Sequence, residues 1–147
     1  MQVQGSSRRG VPEWLIVSCG VWHIGLGLYF IFLRPALLPE DLRYMGANLY
    51  TLQAAVPRLT EWLGKVFTVV GGFMTGGGAL IVYVGWTVMP ARLRGTAWVL
   101  ATAGALTLGL MSAVNFALHS DFRWLLVLPP IGWAAAVLLY LVRDRPA

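Results

Sequence analysis

Four long stretches of the sequence carry no charged side chain, and this distribution of charge limits what the chain can fold into. All seventeen charged residues lie outside these stretches. Each stretch has about the 17 to 25 residues that a helix needs to cross a bilayer, whereas a soluble helix keeps a polar face towards water. The sequence therefore predicts an all-α integral membrane protein, a four-helix bundle whose spans cover residues 14–33, 66–89, 96–118 and 124–142.

The composition agrees with this class and excludes others. Hydrophobic residues make up 58% of the chain and charged residues 12%, with a mean hydropathy of +0.70, which excludes intrinsic disorder. The net charge of +5 is not gathered into a basic run, so it indicates contact with lipid head groups and not with nucleic acid. We expect one domain over residues 12–147, preceded by a flexible polar tail over residues 1–11.

The residues that flank the four stretches predict the orientation. Tryptophan is typical of the membrane interface, and five of the seven tryptophans stand at the ends of the stretches. Six arginines flank one side closely, which predicts that both termini lie on the cytoplasmic side of a bacterial-type inner membrane. These six are Arg8, Arg9, Arg92, Arg94, Arg143 and Arg145.

The first stretch also invites comparison with a cleaved signal. Arg8 and Arg9 precede it, and residues 16–19 are similar to a lipoprotein cleavage box. A signal peptide, however, has its apolar region before the cleavage site, whereas here most of that region follows Cys19. We therefore expect an uncleaved first helix with Cys19 as a buried small side chain.

The connection of about thirty residues between the first two spans is predicted to be partly helical. Pro39 with Glu40 and Asp41 forms a typical first helical turn, so a helix from Pro39 is expected to lie on the outer leaflet. Pro57 marks a second helix start, which leads directly into the second span.

Small residues predict where the helices approach each other. Gly72 and Gly76 have the small-xxx-small spacing that permits close helix contact in lipid, and Gly20 with Gly27 offers a similar surface. The third span has a small residue at every fourth position of one strip. The two alternatives are packing of span two on span three and a seam between copies of the chain. The strip consists of Ala101, Ala105, Gly109 and Ala113.

Two polar groups are candidate ligand sites. His23 is the single histidine near the middle of a span, and ionisable groups at that depth are costly; it either binds a ligand such as haem, with Trp22 and Trp133 beside it, or pairs with a neighbouring polar group. The other group lies near the outer ends of the spans, where a polar cap is expected to hold a head group, an ion or a small ligand, unless its residues merely end and begin helices. Its members are Asn115, His119, Asp121 and Glu61.

Pro129 and Pro130 predict a kink or a broken start in the fourth span, because each removes one helical hydrogen bond. A kink of this kind is one place where a cavity forms, and its freed carbonyl groups need partners.

The sequence does not single out one function. Nucleotide, nucleophile and zinc-hydrolase motifs are missing, so we expect no enzyme of the soluble type, no metal site and no obligatory cofactor. The leading interpretation is an accessory or structural membrane protein that acts through helix contacts with itself or with a partner membrane protein. The alternatives are a cofactor or lipid-like ligand bound through His23, with haem or quinone as examples, and a subunit of a transporter.

Overall fold

The computed structural model describes residues 9–143, and every regular element in that range is a helix. A π-helical turn at Val84–Val88 prolongs α4, and a second one at Ala105–Gly109 joins α5 to α6. The helices are α1 Val11–Phe32, α2 Pro39–Met45, α3 Leu49–Ala55, α4 Leu59–Tyr83, α5 Thr96–Gly104, α6 Leu110–Ala117, α7 Arg123–Leu126 and α8 Leu128–Arg143.

These elements form four long helices that are apolar enough to cross a membrane, as a membrane protein requires. They match the four uncharged stretches of the sequence, and the predicted helix starts at Pro39 and after Pro57 are confirmed. The second helix begins several residues before the uncharged stretch, where an ion pair between Glu61 and Lys65, at 2.7 Å, spans one turn. The four long helices are Val11–Phe32, Leu59–Val88, Thr96–Ala117 and Arg123–Arg143.

The four long helices pack as an open row. Helix α1 lies at its centre and contacts α4 on one side and α8 on the other, while α8 also packs against α5 and the π turn that follows it. Within residues 9–143, α4 makes no extensive interface with α5 or α6. The sequence predicts a four-helix bundle, and this set of contacts does not confirm that arrangement.

Helices α1 and α4 meet along glycines spaced seven residues apart. A Cβ atom on Gly71 would lie 2.6 Å from the carbonyl oxygen of Gly27, and one on Gly78 would lie 2.8 Å from that of Gly20. Neither position accepts a side chain without displacing backbone, so these four glycines let the two antiparallel helices approach closely. We call this contact the glycine seam.

The predicted packing of span two on span three is wrong for this chain on its own. A Cβ atom on Gly72 or Gly76 would meet no atom within 4 Å, and both residues are exposed. The reason is the rotation of α4 about its axis, which turns Gly71 and Gly78, one and two positions away, towards α1.

The predicted small-residue strip on the third span is displaced by one position. Ala101, Ala105 and Ala113 are exposed and Gly109 is half-buried, whereas the buried strip lies one residue earlier in the chain. The cause is Trp133 of α8, whose indole ring covers Gly104 and whose N–H group donates to the Leu100 carbonyl at 2.8 Å. The buried strip consists of Leu100, Gly104, Leu108 and Ser112.

The predicted break at the two prolines is confirmed. Helix α7 ends at Leu126 and α8 begins at Leu128, just before Pro129 and Pro130. The thiol of Cys19, buried as expected, donates to the Pro129 carbonyl at 3.5 Å. The fourth span is therefore attached to α1 next to its interruption.

A buried carboxylate holds together the helix ends near the two termini. The Gly10 N–H group donates to Glu13 Oε2 at 2.7 Å, and Arg143 Nη1 lies 3.5 Å from the same oxygen. Arg9 stacks on the ring of Trp86, 3.7 Å from its centroid. These contacts join the start of α1 to the ends of α8 and α4; of the six flanking arginines, Arg8 and Arg145 lie outside the described residues.

Candidate functional site

A cavity of about 740 Å³ lies between α1 and α6, beneath α2. Its volume is within the range of sites for small organic ligands. Its wall is supplied by α1, α2, α4, α6 and α7 and by the segments next to them. Helix α2 reaches the turn after α6 through the contact between Glu40 and Ser120. The lining residues are Val21, Trp22, Gly25, Leu26, Tyr29, Phe30, Arg34, Leu38, Glu40, Asp41, Phe67, Met111, Asn115, Leu118, Ser120, Phe122, Leu125 and Leu126.

The breaks in the helices on either side explain why this space is left open. The third span ends at Ala117, a turn containing Ser120 follows, and the short helix α7 then changes direction before the two prolines. Leu125 and Leu126 of α7 consequently form part of the wall. Pro129 and Pro130 themselves do not line the cavity, so a link between the proline break and the cavity stays a prediction.

Arg34 stands at the α2 end of the cavity, and its charge is already paired. Its Nη2 lies 3.4 Å from Asp41 Oδ2, and its Nη1 donates to the carbonyl of Pro35 at 2.9 Å. The guanidinium group also lies over the ring of Phe67, 3.6 Å from the centroid. The ion pair, the hydrogen bond and the contact with the aromatic ring together hold Arg34 in the wall of the cavity.

Glu40 presents a second, different carboxylate to the same end of the cavity. Its side chain is only 4% exposed, and its Oε1 accepts a hydrogen bond from the Ser120 hydroxyl at 3.1 Å. No arginine or lysine among the described residues lies within 4.0 Å of it. The cavity thus contains a buried carboxylate whose partner, within the described part of the chain, is an uncharged hydroxyl group.

An exposed ion pair closes the rim above these residues. Arg43 Nη2 of α2 donates to Asp121 Oδ1 at 2.8 Å. The pair connects α2 to the turn before α7, so it joins the two segments that cover the polar end of the cavity.

The opposite end of the cavity is apolar and open at the side. It is lined by Val21, Trp22 and Leu125, whose side chains are exposed. Exposed lining residues thus occur along α1, at Val21 and Trp22, and also at Phe122 in the turn beside Ser120. A molecule with an apolar body and a polar head fits this arrangement, with the head beside Glu40.

The structure brings together some of the residues predicted to form a polar cap and leaves others apart. Asn115 lines the cavity, with its Nδ2 donating to the Met111 carbonyl at 2.9 Å, and Asp121 lies at the rim. His119 does not line the cavity; it is exposed, at a φ of 52° in the turn that ends the third span. Glu61 pairs with Lys65 on α4, away from the cavity.

The predicted group around His23 is divided among three places. His23 is 7% exposed, its Nδ1 has no hydrogen-bond partner among the described residues, and its ring faces Gly77 on α4. Trp22 lines the cavity, but His23 does not. Trp133 lies on Gly104, bonded to the Leu100 carbonyl. Ligation of haem by His23 therefore stays a prediction without a surrounding site.

Sequence reasoning missed two residues of the polar end of the cavity, Arg34 and Glu40. Arg34 follows the end of α1, and Glu40, in the first turn of α2, was expected on a helix lying flat in the interface. The available signal was the acidic start of that helix, which predicted the helix itself but not that α2 turns Glu40 inwards.

Neither metal-ligating side chains nor known relatives identify the function of this site. Among residues 9–143, no three His, Cys, Asp or Glu side chains lie close enough together to hold a metal ion. The chain matches no protein-family model, no curated protein and no solved structure at a significant level. The interpretation of the site therefore rests on its geometry.

Proposed function

We propose that the chain is a four-span integral membrane protein of a bacterial-type inner membrane, with both termini in the cytoplasm. Four apolar helices of spanning length support insertion. The arginines grouped at the terminal ends of the helices support the orientation. The test is cysteine labelling of Gln53→Cys, an exposed position of α3, in a Cys19→Ala background: an impermeant reagent added to intact cells labels it, and labelling only after lysis contradicts the orientation.

We propose further that this protein binds an amphipathic small molecule taken from the lipid phase. The observation that carries the proposal is the cavity of about 740 Å³, which has apolar walls, a polar end and a side opening at the level of the apolar helices. The apolar body of the ligand lies between α1 and α6, and its head lies beneath α2.

Photocrosslinking tests this proposal directly. Long-chain amphiphiles with a diazirine in the chain are incorporated into membranes that contain the protein, and crosslinked peptides are mapped by mass spectrometry. We expect saturable labelling of cavity-lining residues such as Trp22 and Met111.

Two glycine substitutions supply the matched pair of variants. Gly25 lines the cavity and has no atom within 4 Å of a new Cβ, so Gly25→Phe fills the cavity without a backbone clash. Gly64 is equally unhindered but lies outside the cavity, so Gly64→Phe is the control. Labelling that is lost in Gly25→Phe and kept in Gly64→Phe supports the site, whereas equal labelling of both variants contradicts it.

A specific observation also favours a second function, contact with another copy of the chain through α4. Only 11% of the apolar window of this helix is buried, against 22% to 28% for the other three. The exposed face carries Gly72 and Gly76 with Phe73 between them, and this spacing is self-complementary in a two-fold helix pair.

An accessory role through self-association would use this face of α4, and substitutions at its two glycines test that role. Gly72→Leu and Gly76→Leu are expected to weaken self-association in native-like bilayers, measured by energy transfer between labelled copies. Because a Cβ atom on either glycine would have no atom of the described residues within 4 Å, the monomer is expected to stay folded. Unchanged association of both variants contradicts this role.

A further inference from the structure

We infer that the ligand of the cavity carries a positively charged nitrogen, which pairs with the Glu40 carboxylate. This inference rests on the proposed binding function and adds the chemical class of the ligand: an ammonium-bearing amphiphile. It is carried by the surroundings of Glu40 and by the contacts that the neighbouring arginines make with other groups.

Among residues 9–143, Glu40 is the cavity carboxylate that has no cationic partner. It lines the cavity, it is more than nine-tenths buried, and within the same range its hydrogen-bond partner is Ser120, through Oε1. Its Oε2 accepts no hydrogen bond from the described part of the chain. Burying a charged group away from water is costly unless the group is paired. We therefore expect the cationic partner of Glu40 to belong to the ligand.

The cations near this carboxylate are engaged elsewhere. Arg34 is held by Asp41 and by the carbonyl groups of Pro35 and Ala36. Arg43 is paired with Asp121 at the rim, at 2.8 Å.

Arg123, on the neighbouring turn, directs its Nη1 to the Ser120 carbonyl at 3.3 Å and not to the carboxylate. Within residues 9–143, the polar end of the cavity therefore has Arg34 paired with Asp41, and the Glu40 carboxylate without a counter-charge.

This charge arrangement discriminates between head groups. A carboxylate or sulfate head would lie beside Glu40 and would find the guanidinium of Arg34 already occupied. A hydroxyl head would donate one hydrogen bond but leave the charge of Glu40 uncompensated. An ammonium head donates to Oε2 and neutralises the carboxylate, and charge-assisted hydrogen bonds of this kind are stronger than neutral ones.

The position of Glu40 also fixes how the ligand lies. The carboxylate is at the α2 end, whereas the side opening at Trp22 and Leu125 is at the apolar end. The nitrogen therefore lies at the level of a membrane interface, and the chain extends along α1 towards the side opening.

The experiment compares head groups on one photoreactive chain. Probes with an amine, an alcohol or a carboxylate head are identical in the rest of the molecule, and each is titrated against the wild-type protein. We expect the amine to label the cavity at a concentration at least about tenfold lower than the alcohol or the carboxylate does, the difference that one hydrogen bond to a charged group supplies.

A diacyl lipid with an ethanolamine head forms a fourth probe. It shares the ammonium group with the single-chain amine, so the two probes show whether the nitrogen belongs to a phospholipid or to a free amphiphile. Efficient labelling by either one, dependent on Glu40, supports the inference.

Glu40→Gln keeps the size of the side chain and the acceptor for Ser120 but removes the charge. We expect this variant to lose the preference for the amine while the alcohol still labels the cavity. Glu61→Gln, which removes an exposed carboxylate outside the cavity, is the control and is expected to keep the preference.

The outcomes separate this inference from the proposal on which it rests. Saturable labelling without a preference for the amine overturns the inference and leaves amphiphile binding intact, as does a preference that Glu40→Gln retains. Failure of all four probes to label the cavity overturns both. The comparison of head groups on the wild-type protein remains decisive even where Glu40→Gln does not fold.

Discussion

The glycine seam between α1 and α4 yields the sharpest test of the fold, through the substitution Gly71→Ala. The added Cβ atom would lie 2.6 Å from the Gly27 carbonyl oxygen and 2.7 Å from Cγ1 of Ile31. Ordinary contacts begin at 3.4 Å, so the two backbones must separate by about 0.8 Å in a region packed without voids. Overpacking of this kind costs about 1–3 kcal/mol.

The neighbouring glycine provides a control with the same chemistry. Gly72→Ala adds the same methyl group to the same helix, but no atom lies within 4 Å of it. Both substitutions gain the same helix propensity, up to about 1 kcal/mol. The difference in stability between the two variants therefore isolates the steric cost at the seam, about 1–3 kcal/mol.

Reversible unfolding in mixed micelles measures this difference. The purified variants are titrated with sodium dodecyl sulfate, and the loss of tertiary structure is followed by tryptophan fluorescence. We expect Gly71→Ala to unfold at a clearly lower fraction of denaturing detergent than Gly72→Ala. Equal midpoints for the two variants would refute the seam, and Gly78→Ala, with contacts of 2.8 Å to the Gly20 carbonyl, repeats the test one heptad away.

Three further substitutions probe the rest of the molecule. Trp133→Phe removes the donor to the Leu100 carbonyl and is expected to lower the free energy of unfolding by about 1 kcal/mol; a midpoint equal to that of the wild type in the same detergent titration would contradict this bond. His23→Phe replaces a buried side chain whose Nδ1 has no partner among the described residues, so we expect stability equal to or above that of the wild type. The haem interpretation instead requires that protein expressed with haem shows a Soret band and that His23→Phe abolishes it. Asp121→Ala breaks an exposed ion pair with Arg43 and is expected to cost about 1 kcal/mol or less; a larger loss in thermal unfolding would show that this pair is essential for holding α2.

The long helices were predictable because one rule governs each of them. Absence of charge over some twenty residues predicts a spanning helix wherever it occurs, and proline predicts the start of α2 and the interruption before α8. These are local properties of the chain, so they do not depend on which helices become neighbours.

The choice of packing faces was not predictable in the same way. Gly71 and Gly72 are adjacent, and both belong to patterns of small residues that are compatible with close packing. Which of them faces α1 depends on the rotation of α4 about its axis, and this rotation is set by contacts along the whole seam. The predicted strip through Ala105 and the buried strip through Gly104 likewise differ by one residue. The indole ring of Trp133 packs on Gly104 and so determines which of the two strips is buried.

The polar end of the cavity illustrates a second limit. Asn115 and Asp121 were recognisable because they stand at the end of a predicted span, whereas Glu40 reaches the same place from α2, some eighty residues before Ser120 in the chain. Sequence spacing contains no information about that approach. The burial of Glu40 depends on the fold of α2 over the helix ends, which is a tertiary property.

The two ends of the cavity also indicate how a ligand enters it. Helix α2, which covers the polar end, is joined to the turn before α7 by the exposed ion pair of Arg43 and Asp121. An exposed pair of this kind adds little stability. Lifting α2, however, would also break the bond between Ser120 and Glu40 and expose the polar end before a ligand is bound. The side opening at Trp22 requires no such change, because its residues are already exposed at the level of the apolar helices. We therefore expect the apolar chain of a ligand from the lipid phase to enter through the side opening while its charged head stays at the level of the interface beside Glu40, since a charge is costly at mid-span depth.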